Sequence, residues 1–157
     1  MDNKKNAILK AAEALTENYK KDELFMPKNG RNLPNRAAVI DLVKDLRSVI
    51  FPGYFCSDTA AGIFPEQFST YCLNEYYDRL KEQVEIALLY ARQEMKPEEA
   101  AEMSENICIH FIERLPEVQQ KLLKDVQAGF DGDPAAKSKE EIIFSYPGVF
   151  AIYVYRL

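Results

Sequence analysis

Two aspartates flank a glycine in Asp131-Gly132-Asp133-Pro134, the most compact polar group in this sequence. Two carboxylates in a glycine turn could bind a hard cation through their oxygens. A calcium loop, however, needs oxygen ligands alternating over about twelve residues with a glutamate at its end, and Pro134-Ala135-Ala136 supplies none. Ordinary turn chemistry explains the tetrad without a metal, because Asp is favoured before Gly and Pro. We therefore predict no metal site, and a metal enzyme built on Asp131 and Asp133 is the minor alternative.

The single histidine, His110, is the other candidate for acid–base chemistry. It lies off the apolar stripe of its predicted helix, and no local motif pairs it with a serine or cysteine nucleophile. A general base needs a positioned partner, so we predict a surface histidine without a catalytic role. The cysteines at 56, 72 and 108 are odd in number and widely spaced, which favours buried, reduced thiols over a metal site. No glycine-rich phosphate loop is present, which excludes nucleotide binding through such a loop.

Length and charge limit the class of protein. A chain of 157 residues is long enough for one domain with a real core. The net charge of -5 offers no general attraction to nucleic acid or to anionic membranes, so we predict neither as a partner. The longest apolar run, residues 149–155, is far shorter than the roughly 20 residues that span a bilayer. With no apolar leader at the start, a cytoplasmic location is expected.

The elements that must position these residues are helical almost throughout, since apolar residues recur at spacings of three and four. The amino end, 1–34, predicts one amphipathic helix followed by a loop. Asn35 is a plausible N-cap for a helix over about 36–50, and further helices should begin near Pro65 and Pro97. Pro116 either kinks a helix or begins one, and we favour a new helix there. The fold class is therefore all-α.

The carboxy-terminal part predicts a loop over 131–137 and then a short helix, because Ser138 and Glu141 form a capping box. After Pro147-Gly148, the apolar stretch 149–157 fits either a buried strand or a buried helix. Such an apolar end without a cap leads us to expect that the protein continues beyond Leu157; docking of this element in the domain's own core is the alternative. We expect a single helical domain over 1–157, with core helices from 35 onward. It should contain about six to eight helices in an orthogonal or bundle-like array.

Several blocks of residues follow one another in a fixed order near the carboxy-terminal end: Asp125-Val126-Gln127-Ala128, Asp131-Gly132-Asp133-Pro134-Ala135-Ala136-Lys137-Ser138, Glu141-Ile142-Ile143, Tyr146-Pro147-Gly148, Ala151-Ile152 and Tyr155-Arg156. Together these blocks resemble the segment that precedes the left-handed β-helix of bacterial serine O-acetyltransferases. Upstream, the blocks Leu33-Pro34, Asp45-Leu46-Arg47 and Phe51-Pro52-Gly53-Tyr54-Phe55 are similar to the longer-headed branch of that family. Ordered blocks from Leu33 to the last residue are more specific than any one of them.

The resemblance implies an enzyme of cysteine biosynthesis that transfers acetyl from acetyl-coenzyme A to L-serine. In the family the basic histidine and the coenzyme site lie in the β-helix, so this chain would hold no catalytic residue and bind no cofactor. The aspartate of the family's Asp-Pro-Ala motif corresponds to Asp133, with Pro134 and Ala135 as neighbours, which implies a contact to the substrate serine.

The family's assembly suggests partners as well. The resemblance implies self-association into a trimer or a dimer of trimers. It also implies binding to O-acetylserine sulfhydrylase through a carboxy-terminal region outside this chain. The hypothesis from another class of protein is a free-standing helical interaction module, because no complete catalytic set is visible in the 157 residues.

Overall fold

In a computed structural model, residues 2–25, 32–56 and 64–157 are described, and these ranges contain seven α-helices, one short 3₁₀ helix and no strand. The helices are α1 (Asp2–Lys21), α2 (Arg36–Ile50), α3 (Pro52–Phe55), α4 (Pro65–Ala91), α5 (Pro97–Gly132), α6 (Lys139–Ser145) and α7 (Pro147–Arg156), with the 3₁₀ helix at Glu23–Phe25. The all-α prediction is confirmed. Most of the predicted amino-terminal loop lies outside the described residues.

The helix starts follow from local chemistry. Asn35 caps α2, since its side-chain Oδ1 accepts hydrogen bonds from the backbone N–H groups of Ala37 at 2.9 Å and Ala38 at 3.2 Å. Pro65 and Pro97 occupy the first position of α4 and α5, where the missing N–H would have no partner within the helix. These predicted starts are confirmed.

The helix α5 is the central element, and it corrects one prediction. Pro116 lies inside this 36-residue helix and does not begin a new one. Leu115 and Val118, on either side of the proline, are both buried and continue one stripe along the helix. The apolar burial on both sides outweighs the hydrogen bond that the proline removes, so the helix continues through it.

The remaining helices pack around α5. The long helix α4 lies against it and against α2, while α6 and α7 pack on its carboxy-terminal half. The core joins these elements through a shared set of buried side chains: Leu46, Ile50, Phe51, Leu115, Val118, Leu122, Val126, Ile142, Ile143, Val149 and Tyr153. The core therefore lies at the carboxy-terminal half of α5, next to the Asp131–Ser138 segment.

The last element is a helix, which decides between the strand and the helix left open by periodicity. Val149 and Tyr153 of α7 are buried in the core, so one face of this element docks within the domain. The other face carries Ile152, Val154 and Tyr155, and Tyr155 is 86% exposed. The terminal element is thus half core and half exposed apolar surface.

Other parts of the chain bear on what the protein can contact. Side chains of α1 are exposed, including its apolar stripe of Ile8, Leu9 and Leu15. Of the three cysteines, Cys108 is buried, whereas Cys56 and Cys72 are half-buried, so the prediction of buried thiols is wrong at those two positions. Among the described helices, none is both long and apolar enough to cross a membrane.

Candidate functional site

Asp133 lies where α5 ends. The helix extends through Gly132, two residues into the loop predicted for 131–137, and Asp133 follows it with extended backbone angles (φ -116°, ψ 102°). The next residues form a turn that is closed by a 3.0 Å hydrogen bond from the backbone N–H of Ala136 to the carbonyl of Asp133. Ala136 packs against the core, which anchors the turn. The end of the central helix thus fixes where the Asp133 side chain begins.

The Asp133 carboxylate is held at both oxygens. Its Oδ1 accepts a hydrogen bond from the backbone N–H of Ala135 at 2.9 Å, and its Oδ2 accepts one from the Tyr146 hydroxyl at 2.7 Å. The Tyr146 bond, followed by the Ala135 bond, lowers the pKa of Asp133, because both donors favour the charged form. The same contact raises the pKa of Tyr146. The site therefore presents a half-buried, ionised carboxylate.

The two aspartates of the tetrad do not act together. Asp131 is exposed, and its Oδ1 accepts a 2.7 Å hydrogen bond from Nε2 of Gln127, one turn earlier on α5. In the ranges that the structure covers, no three His, Cys, Asp or Glu side chains are grouped to hold a metal ion. Asp133 is thus a single carboxylate, suited to accepting hydrogen bonds from a cationic or hydroxylic ligand.

A capped helix connects Asp133 to its tyrosine partner. The Ser138 Oγ accepts a 3.2 Å hydrogen bond from the backbone N–H of Glu141, as the capping box predicts. The Glu141 carboxylate reaches one residue further back than expected, accepting from the backbone N–H of Lys137 at 2.9 Å. Tyr146 then lies between α6 and α7 and caps both helices with its backbone. The path from Asp133 to Tyr146 is therefore fixed by local hydrogen bonds.

Two further residues of the resembling blocks form an ion pair. The Arg156 Nη2 donates to Oδ1 of Asp125 at 2.6 Å, and its Nε donates to Oδ2. This two-pronged contact joins the end of α7 to α5, and it raises the pKa of Arg156. The pair is distant in sequence, so periodicity alone did not reveal it.

The upstream blocks meet the carboxy-terminal ones around Arg47. Its guanidinium carbon lies 3.7 Å from the centre of the Phe55 ring and 4.8 Å from that of Phe150. Such a stack is a cation–π contact, and partial burial lowers the pKa of Arg47. Nearby, the buried Tyr153 hydroxyl donates a 2.6 Å hydrogen bond to the carbonyl of Val43. The upstream segment thus braces α7, which follows directly after Tyr146.

His110 faces solvent, as its position off the stripe predicts. Its side chain is 79% exposed, and Nδ1 lies 3.3 Å from Oε2 of Glu113 on the same helix. It also lines an open groove of about 330 Å³ between α5 and the end of α7, together with Phe111, Arg114 and Leu157. Among the described residues, no contact joins His110 to the Asp133 turn, so the structure does not bring His110 and Asp133 into one site.

Comparison with known proteins shows what this chain is similar to. No protein-family model matches the chain. The chain is 34% identical over 130 residues to a curated protein of Synechococcus elongatus described as "Serine acetyltransferase, plasmid", a match that covers 80% of this chain and 41% of that protein. The chain therefore spans less than half the length of this relative. The chain is thus similar over most of its length to a serine acetyltransferase, and its all-helical fold is consistent with that similarity.

Proposed function

We propose that these residues form the amino-terminal helical domain of a serine O-acetyltransferase, an enzyme that moves an acetyl group from acetyl-coenzyme A to the hydroxyl of L-serine. The observation that carries the proposal is the 34% identity to a serine acetyltransferase over 80% of the chain. The all-helical fold and the ordered motif blocks support the domain assignment. The domain would serve assembly and would supply part of the serine site.

Asp133 is the residue through which this domain would contact the substrate. A carboxylate has about four acceptor positions, and the backbone of Ala135 and the hydroxyl of Tyr146 occupy one on each oxygen. The remaining positions can accept hydrogen bonds from the ammonium or hydroxyl group of serine. The charge on Asp133 favours the ammonium group, because opposite charges strengthen such a bond.

The acetyl transfer itself would need residues that this domain does not supply. The serine oxygen attacks the thioester carbonyl, a general base takes the hydroxyl proton, and coenzyme A leaves as its thiol. In the part of the chain that the structure describes, the hydrogen-bond donors to Asp133 are Ala135 and Tyr146, and His110 is paired with Glu113 instead. We therefore propose that residues 1–157 alone bind no coenzyme and are inactive.

We also propose that the protein is cytoplasmic and self-associates through this domain, in a trimer or a dimer of trimers. The exposed apolar side chains of Ile152, Val154 and Tyr155 support self-association, since they continue a helix whose other face is core. Binding to O-acetylserine sulfhydrylase belongs to the same proposal and would use a region outside these residues.

Thiol release from acetyl-coenzyme A tests the enzyme proposal. The protein to assay is the product of the complete natural reading frame that carries these residues, expressed to its own stop codon, beside a preparation of residues 1–157. We expect serine-dependent thiol release from the frame product and none from residues 1–157. Turnover by residues 1–157 would refute the assignment of catalysis to a separate part.

Two matched variants of the frame product test the substrate contact. Asp133→Asn removes the charge but keeps an oxygen acceptor, so we expect the KM for serine to rise while the KM for acetyl-coenzyme A stays close to wild type. Asp131→Asn makes the same change two residues away on an exposed side chain, and it should leave both constants unchanged. Equal effects of the two variants would contradict a specific role for Asp133.

The second candidate function is a helical interaction module with no activity. The observation in its favour is that α1 and α7 expose apolar side chains, while His110 contacts a carboxylate, that of Glu113. A frame product that binds other proteins or itself but shows no serine-dependent thiol release would establish this function in place of the enzyme.

A further inference from the structure

Tyr146 is joined to Asp133 by a contact that the enzyme proposal does not use. The two residues are brought together by the capped helix α6, and the tyrosine hydroxyl lies 2.7 Å from Oδ2 of the carboxylate. The other carboxylate oxygen is held at 2.9 Å by the Ala135 N–H. Because the two donors form hydrogen bonds to different oxygens, they fix both the position and the plane of the carboxylate.

We propose that Tyr146 is a positioning residue for the substrate: its hydroxyl holds Asp133 in the single orientation in which the carboxylate accepts the ammonium group of L-serine. This inference rests on the proposed function, and it deepens it by adding a residue that acts through Asp133. Holding a binding group in place before the ligand arrives lowers the entropic cost of binding. The effect should therefore appear in the affinity for serine.

The surroundings of the pair suit this role. Tyr146 is itself fixed, because its N–H donates to the carbonyl of Ile142 at 3.3 Å and its carbonyl accepts from the N–H of Val149 at 3.1 Å. Within the described residues, the titratable side chains that act on the pair are the two members themselves and Glu141, which acts on the Tyr146 hydroxyl. No lysine or arginine there neutralises Asp133, so its charge is available to a cationic ligand.

The variant Tyr146→Phe of the complete frame product removes only the hydroxyl. We expect the KM for serine to rise about tenfold, the order of one lost hydrogen bond, with kcat and the KM for acetyl-coenzyme A nearly unchanged. Without its hydroxyl donor Asp133 should also hold its proton more tightly, so the pKa of the Asp133 carboxyl should rise.

Tyr71→Phe is the matched control. The Tyr71 hydroxyl is also influenced by a carboxylate, that of Glu75, which raises the pKa of Tyr71 on the exposed surface of α4. Its removal should leave the KM for serine and the pKa of Asp133 at wild-type values. A role for Tyr146 in stability alone would change the yield or melting temperature of the variant, but it would not raise the KM for serine at an unchanged kcat.

A double-mutant cycle shows whether Tyr146 acts through Asp133. In the Asp133→Asn background, adding Tyr146→Phe should raise the KM for serine no further, and an additive rise would overturn the inference. In residues 1–157, carbon-13 NMR of the aspartate carboxyls should show a higher pKa for Asp133 in Tyr146→Phe, and an unchanged pKa would also overturn it. If the wild-type frame product lacks serine-dependent activity, both the proposed function and this inference are refuted. If the wild type is active and Tyr146→Phe has the same KM for serine, only the inference is refuted.

Discussion

Replacing Leu122 by alanine should destabilise the domain strongly, and the adjacent Leu123 supplies the control. Leu122 is fully buried in the core beside α6 and α7, whereas Leu123 is 48% exposed on the same turn of α5. Both substitutions make the same chemical change in the same helix, so differences in helix propensity cancel. What differs between the two variants is the amount of apolar surface and cavity that each removes from the core.

The magnitude follows from burial. Shortening leucine to alanine removes three carbon groups worth about 0.8 kcal/mol each when fully buried, or roughly 2.4 kcal/mol of transfer free energy. The cavity left in a packed core adds to this, so Leu122→Ala should lower the free energy of unfolding by about 3 to 4 kcal/mol. For Leu123→Ala about half of the transfer term applies and no closed cavity forms, which gives about 1 kcal/mol.

Urea unfolding followed by circular dichroism measures both values, and thermal unfolding should agree. For a chain of this size, each kcal/mol shifts the melting temperature by about 2 to 4 °C, so Leu122→Ala should melt roughly 6 to 16 °C lower than wild type. The reasoning would be refuted if the two variants lost the same stability within about 0.5 kcal/mol, since burial could not then be the cause.

Two further substitutions test the packing and the titration of the core. Gly129→Ala should raise the free energy of unfolding by about 0.5 to 1 kcal/mol, because Gly129 lies inside α5, where alanine is favoured over glycine. The added Cβ would lie 3.5 Å from Cγ2 of Ile142, which is an ordinary contact distance. A loss of stability in urea unfolding would show that the contact is too tight. Burial raises the pKa of Tyr153, so the folded state favours the neutral phenol and stability should fall as pH rises above about 10, where the unfolded tyrosine ionises. Urea unfolding at several alkaline pH values should show a shallower fall for Tyr153→Phe than for wild type, and an equal slope would contradict this account; the exposed Tyr155→Phe is the control.

Local signals predicted the helix starts, because each depends on a few neighbouring residues. Asn35 and Ser138 cap with their own side chains, and Pro65 and Pro97 occupy first helical positions whatever the rest of the chain does. The outcome at Pro116 depends on burial contributed by other helices, which a single stretch of sequence does not reveal. The prediction at Pro116 was wrong because it could not include this tertiary packing. The choice of a helix over a strand for residues 149–157 likewise depends on tertiary packing.

In the candidate site, too, one part could be predicted from the sequence and another part depends on the folded structure. The resemblance located Asp133, but its partner Tyr146 is found only when α6 has been built between the two residues. A signal was present in retrospect, since the capping box at Ser138 fixes the direction of α6 and Tyr146 begins the Tyr-Pro-Gly break that ends it. Neither feature alone identifies a hydroxyl–carboxylate contact, because that contact depends on the angle at which α6 leaves the turn.

The Asp133 site and the core are neighbours that rely on different interactions. Burial of Leu122 and Ile142 holds α5, α6 and α7 together, whereas the Asp133 carboxylate is oriented by hydrogen bonds from Ala135 and Tyr146 at the partly exposed edge of that core. Leu122→Ala should therefore reduce stability while the remaining folded protein keeps its affinity for serine. Tyr146→Phe should lower the affinity for serine and leave the stability nearly unchanged, because it removes an orienting contact and keeps the buried apolar surface. This separation allows the proposed substrate contact to be tested without destabilising the domain that carries it.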